Sequence, residues 1–176
     1  MNNIAPIIDT VGSLRALRLD PEDHLCWAIW PAFEARLKLY STEVAPDTPV
    51  ELFIPLLRRA FVENNPLYFI MIIINDEDEI VGHCIGWHEQ VWGKNYALIH
   101  QAKLDVSSKI SRNVWLEIRI WIHRINSLGC NPPISSLRFV TTRGDGWYRR
   151  LKGKCEFERS VLFLTLDHLN EVCEAY

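Results

Sequence analysis

The stretch Leu67–Leu104, LYFIMIIINDEDEIVGHCIGWHEQVWGKNYALIHQAKL, decides the fold. Its first segment, Leu67–Ile74, is a continuous apolar run rich in β-forming residues, the pattern of a strand buried on both faces. The polar group Asn75 to Glu79 makes a turn. Ile80–Glu89 and Tyr96–Leu104 then read as two further strands. Together the three segments predict an antiparallel meander. Beyond it the periodicity returns to helical: Val114, Ile118, Trp121, Ile125 and Leu128 recur as the inner stripe of a helix over Ser107–Leu128. Gly129 supplies the stop.

Helices are also expected ahead of the meander. Asp20 is placed as an N-cap, with Pro21 at the first helical position and Leu25, Ile29, Phe33 and Leu37 at helical spacing. Pro31 inside this stretch predicts a kink or two shorter helices. Thr48 and Glu51 form a capping-box pattern around Pro49, followed by the stripe Leu52, Leu56 and Ala60. After the long helix, Ser136–Thr142 reads as a fourth strand. Residues 145–153 read as a short helix or turn, and Arg159–Leu166 as a last strand. The order αα-βββ-α-β-α-β implies an α+β (mixed α/β) layered fold, with a central, mostly antiparallel sheet flanked by helices. Residues 1–176 are read as one domain, since no linker, repeat or biased segment divides them.

Composition narrows the function classes. The chain has 176 residues, is 48% hydrophobic and carries a net charge of −3. That is a globular composition, and its charge makes nucleic acid an unlikely partner. The longest apolar run is far too short to span a bilayer, so no membrane association is expected. The N-terminus lacks a basic start followed by a long apolar run, so no signal peptide is expected. Cys26, Cys84, Cys130, Cys155 and Cys173 are odd in number, scattered and without a C-x-x-C pair. Reduced thiols and a cytoplasmic setting follow. The histidines show no ligand spacing, and no metal site is expected.

Three local patterns carry a family resemblance. Asp78–Trp87, DEIVGHCIGW, resembles the second hairpin strand of the GNAT superfamily, the acyl-CoA-dependent N-acyltransferases. Leu137–Thr142, LRFVTT, resembles the strand that splays from its neighbour and opens the cofactor cleft in that family. Trp147–Leu166, WYRRLKGKCEFERSVLFLTL, resembles the family's C-terminal signature. The similarity covers about Asp20 to Leu166. It implies a GNAT-like domain and acetyl-CoA, or another acyl-CoA, as acyl donor.

The departures fall where chemistry is expected. The family places a glycine-rich loop before its central helix, so that backbone N–H groups can close on the pyrophosphate. Here that stretch is Leu104–Asn113, LDVSSKISRN. The cofactor-binding candidates are therefore Ser107, Ser108 and Ser111 as hydroxyl donors, and Lys109 and Arg112 as cations. The plain alternative is that the serines cap the helix and the cations face water. Either way coenzyme A is expected to bind weakly or not at all. The family's tyrosine that protonates the leaving thiolate usually lies four residues before the signature glycine. Counting back from Gly153 gives Arg149, and Tyr148 is one residue off, about 100° around a helix. A base for the amine would come from His83, His88, Glu89 or His100, with His100 and Glu89 preferred. Alternation puts His83 and Glu89 on one face and His88 on the other.

Two functions are carried forward. The first is an N-acyltransferase with an atypical phosphate loop, using His100, Glu89 and Tyr148. The second is a catalytically inactive GNAT-fold interaction or structural protein. Its missing loop glycines and basic WYRRLKGK segment resemble GNAT-like proteins of tailed phages, which would place it in a virion or the host cytoplasm. In that reading a protein partner docks on an apolar or basic surface.

Overall fold

The computed structural model describes residues 8–9, 14–43, 49–104, 111–140, 156–158 and 161–165. The elements run β1 (Ile8–Asp9), β2 (Leu14–Arg18), α1 (His24–Glu43), α2 (Val50–Val62), β3 (Tyr68–Ile74), β4 (Ile80–Val91), β5 (Lys94–Leu104), α3 (Ser111–Ser127), β6 (Ser136–Val140), β7 (Glu156–Glu158) and β8 (Val161–Thr165). They form one eight-stranded sheet in the order β1-β2-β3-β4-β5-β6-β8-β7. All pairings are antiparallel except β5 with β6, which is parallel. The expected meander is β3-β4-β5, and the α+β class with a mostly antiparallel sheet is what the chain adopts. The short helix expected over 145–153 lies outside the described residues.

The sheet has two unlike faces. Alternation along β3 sends Phe69, Met71 and Ile73 toward α3, where they pack with Cys84, Ala97, Ile99, Ile118, Trp121 and Ile125. The even residues Ile70, Ile72 and Ile74 turn toward α1 and α2 and pack with Phe33, Leu37, Leu57, Phe61 and Ile85. A strand covered by helices on both faces needs no polar side, which is why β3 reads as an unbroken apolar run.

Several local expectations are corrected. β1 and β2 were not expected. β2 is short, contains two arginines, and is held by pairing with β3 across a long separation in sequence (Leu17 with Ile72), so no local signal marks it. Asp23, not Asp20, caps α1: its carboxylate accepts from the Leu25 N–H at 2.9 Å, while Asp20 closes a turn onto the Glu22 N–H. Pro31 lies inside one continuous helix, its missing N–H costing one intrahelical bond. Pro49 is itself the N-cap of α2, with no side-chain cap bond. On α2 the buried residues are Ile54, Leu57, Ala60 and Phe61, whereas Leu52 and Leu56 face solvent. Leu25 and Leu128 are likewise exposed. On α3, Val114, Trp115, Ile118, Trp121, Ile122 and Ile125 are buried, and Arg119 is half-buried. Gly129 ends the helix at φ +93°, a conformation that costs a side-chain-bearing residue.

Candidate functional site

Two of the site candidates, His100 and Glu89, lie near the point where β5 loses one of its two paired neighbours. Along β4 and β5 the register runs regularly from Val91–Lys94 to Gly86–Ile99, then jumps to Ile85–Gln101. His100 is therefore the extra residue of a β-bulge, with no residue opposite it. A bulge turns two successive side chains to the same face and bends the strand. Gly86 sits across from it. A Cβ there would lie 2.5 Å from the Leu98 carbonyl oxygen and 2.8 Å from Ile99 Cδ1, so the glycine permits the close approach.

The parallel ladder stops at the same point. β5 pairs with β6 through Ala97–Leu137, Leu98–Arg138 and Ile99–Phe139 only. From His100 to Leu104, β5 keeps β4 as its one paired neighbour among the described residues. The two strands thus part after Ile99, beside the bulge.

The side chains around this fork lie on the face covered by α1 and α2. The His100 ring sits 4.7 Å from that of Trp87 and 5.3 Å from that of Phe53 on α2, and all three are half-buried. Burial lowers the His100 pKa, because a charged imidazolium loses hydration there. His100 is accordingly neutral at pH 7. Glu89 is on the same face, its Oε2 3.2 Å from Arg138 Nη1. Arg138 in turn lies over the Tyr96 ring at 4.0 Å, which fixes the guanidinium from two sides.

His83 and His88 lie elsewhere. His83 is fully buried and edge-on to Tyr40 and Phe33. His88 points to the α3 face, where its Nε2 is 2.9 Å from Asn95 Oδ1, and Asn95 donates to the Pro132 carbonyl at 2.7 Å. That chain ties the β4–β5 hairpin to the turn before β6. Cys130 Sγ is 3.7 Å from the same His88 nitrogen. Burial raises the Cys130 thiol pKa and pushes Cys84 to about 12, so these thiols stay protonated. Among the described residues no group of three or more His, Cys, Asp and Glu side chains could hold a metal ion. No helix among them is long and apolar enough to cross a membrane.

One residue at the fork was not singled out from sequence. Gln101 follows the bulge, is 5% exposed, and its Oε1 has no hydrogen-bond partner. A buried amide oxygen without a donor is rare in a folded chain. Nothing local marks it, because the bulge that turns it to the α1/α2 face is a property of the pairing.

The other candidates divide. Arg112 is exposed in the first turn of α3, and Ser111 opens that helix. Ser107, Ser108, Lys109 and Tyr148 lie outside the described residues.

No protein-family model matches the chain, and no curated protein matches it in sequence. Solved structures do resemble it. AtaTR bound with AcCoA aligns at a TM-score of 0.56 and 11% identity, covering 90% of this chain and 97% of that one. An acetyltransferase of the GNAT family from Staphylococcus aureus Mu50 gives a TM-score of 0.56 at 11% identity, covering 88% and 99%. A bacterial toxin aligns at 0.54 and 10% identity, covering 98% of each chain. At such identities the likeness concerns architecture alone. The order of elements, the parallel β5–β6 pair in an otherwise antiparallel sheet and these alignments together show that this chain has the GNAT fold.

Proposed function

We propose that the protein is an acyl-CoA-dependent N-acyltransferase whose reaction takes place at the fork between β5 and β6. The fork itself carries this reading: a strand whose backbone leaves its parallel neighbour at a bulge, beside a desolvated, neutral histidine. In the GNAT fold that opening is where the acyl donor enters. The donor supplies a thioester carbonyl. His100 accepts a proton from the acceptor amine as the new C–N bond forms and the C–S bond breaks. Gln101 Oε1 offers a buried acceptor for an N–H of the same amine. Glu89 holds Arg138 over Tyr96 and stands as the second candidate base. Tyr148 is proposed to return a proton to the thiolate. Ser107, Ser108, Lys109, Ser111 and Arg112 are proposed to meet the donor's phosphates.

The phosphate site is the weak part of this machinery. Val106 to Ile110 carry side chains where glycines would admit a pyrophosphate to the backbone N–H groups. Lys109 and Arg112 restore attraction, but exposed charges contribute under about 1 kcal/mol each, against about 8 kcal/mol for micromolar affinity. The experiment is calorimetric titration with acetyl-CoA at low salt, of wild type and of the Lys109→Ala, Arg112→Ala double variant. Binding weaker than micromolar, and lost in the double variant, is expected. Micromolar binding that survives both substitutions would show that the side chains do not block the site. No binding to either protein favours the second reading, a GNAT-fold interaction or virion protein. The exposed apolar surface of α1 is the observation that speaks for that reading.

A further inference from the structure

The outward face of α1 has a composition that solvent exposure does not explain. Between His24 and Tyr40, nine residues are exposed: His24, Leu25, Trp27, Ala28, Pro31, Ala32, Ala35, Lys38 and Leu39. Seven of the nine are apolar, although the opposite face of the same helix already buries Cys26, Ile29, Trp30, Phe33 and Leu37 in the core. A helix that packs one face on a sheet normally turns charge to water on the other. α2 and α3 place arginines on their solvent sides; α1 does not. A helix that is apolar all round is the mark of one covered on both sides.

Within that face, Leu25, Ala28, Ala32, Ala35 and Leu39 recur at intervals of three and four residues. This is the 3.5-residue seam of helix-on-helix packing. It spans about 21 Å at 1.5 Å per residue. The seam is also self-complementary. Read in either direction it is large, small, small, small, large. An antiparallel copy crossing at Ala32 sets Leu25 against Leu39 at both ends, while the three alanines let the backbones approach. The charges agree. Exposed Glu22 and Asp23 stand at the start of the helix, and exposed Lys38, bridged to Glu34 at 3.2 Å, stands near its end. Antiparallel copies bring each acidic start beside the partner's Lys38. Parallel copies would bring like charges together.

We propose that α1 is an isologous interface, through which two copies of this chain associate about a two-fold axis passing by Ala32. The same patch then serves on both subunits, as two-fold symmetry requires. The inference does not depend on the acyltransferase reading, since the seam lies on the helix face turned away from the sheet.

Sedimentation equilibrium of the full chain over a range of concentrations tests it. Wild type is expected to dimerise. In Ala32→Arg the two new charges meet at the axis, and the dissociation constant should rise about 100-fold or more, like-charge juxtaposition costing several kcal/mol. Circular dichroism should show the variant folded, because the position is exposed in the protomer. If that variant fails to fold, Lys38→Glu carries the test: it should weaken the dimer about 10-fold, and adding Glu22→Lys should restore it. A wild type that is monomeric at every concentration overturns the proposal, as does a dimer indifferent to Ala32→Arg and Lys38→Glu. A dimer weakened by Lys38→Glu that Glu22→Lys fails to restore overturns the antiparallel arrangement.

Discussion

The two faces of the central sheet are built from the same strands, β3 to β6, and are filled differently. Toward α3 the sheet presents Phe69, Met71, Ile73, Cys84, Ala97 and Ile99, all nearly inaccessible. Trp121 is fully buried there, its ring tilted against that of Phe69 at 5.3 Å between centroids, with its indole N–H donating to the Pro66 carbonyl at 2.9 Å. Toward α1 and α2 the same strands begin with an equally apolar cluster on β3. Farther along the sheet this face carries Glu89 on β4, Tyr96, His100 and Gln101 on β5 and Arg138 on β6 instead. One face is filled for stability. The other gives up apolar contact where β5 bends away from β6. The difference teaches where function can sit: titratable side chains cost free energy to bury, and here they collect beside the bulge.

The largest effect that could break this contrast is on the α3 side. Trp121→Ala should destabilise the protein by about 3–5 kcal/mol, the usual cost of emptying a buried large aromatic site. Urea unfolding measures it, and a change near zero would mean that α3 is not the stabilising layer. Next is the hinge between the faces. Gly86→Ala places a methyl group against the Leu98 carbonyl oxygen, which is backbone and cannot swing aside. A loss of about 1–3 kcal/mol is expected. An unchanged midpoint would mean that the bulge relaxes freely. The smallest effect is on the α1/α2 side. The His100 pKa is lowered in the folded protein, so near and below its ordinary value of about 6.5 the unfolded chain binds a proton that the folded chain refuses. Stability then falls as pH drops through the window between the ordinary and the depressed value, and is fully present above it. His100→Gln should flatten that part of the stability–pH curve. A parallel offset with no change of slope would mean that His100 is not desolvated.

Legibility in the sequence followed the range of the forces. β3 was legible because both its faces are covered, and a doubly covered strand shows as a continuous apolar run. The α3 stripe from Val114 to Ile125 was legible because one buried face of a helix repeats every three or four residues. The alternation of His83, Glu89 and His88 held for the same local reason. Leu52 and Leu56 misled, because a helix with apolar residues on two faces does not say which one meets the sheet. The answer is Ile54, Leu57 and Phe61, fixed by packing against α1 and β3.

What the sequence determined by itself, then, is the class of fold, the meander and the absence of glycines before α3. These rest on periodicity and backbone freedom, which act within a few residues. What only the tertiary structure decided is the bulge at His100, the end of the β5–β6 ladder at Ile99, the Glu89–Arg138–Tyr96 contact and the outward apolar face of α1. Each depends on which strand or helix lies beside which. That choice is settled by pairing and packing between segments far apart in the chain, and no local pattern records it.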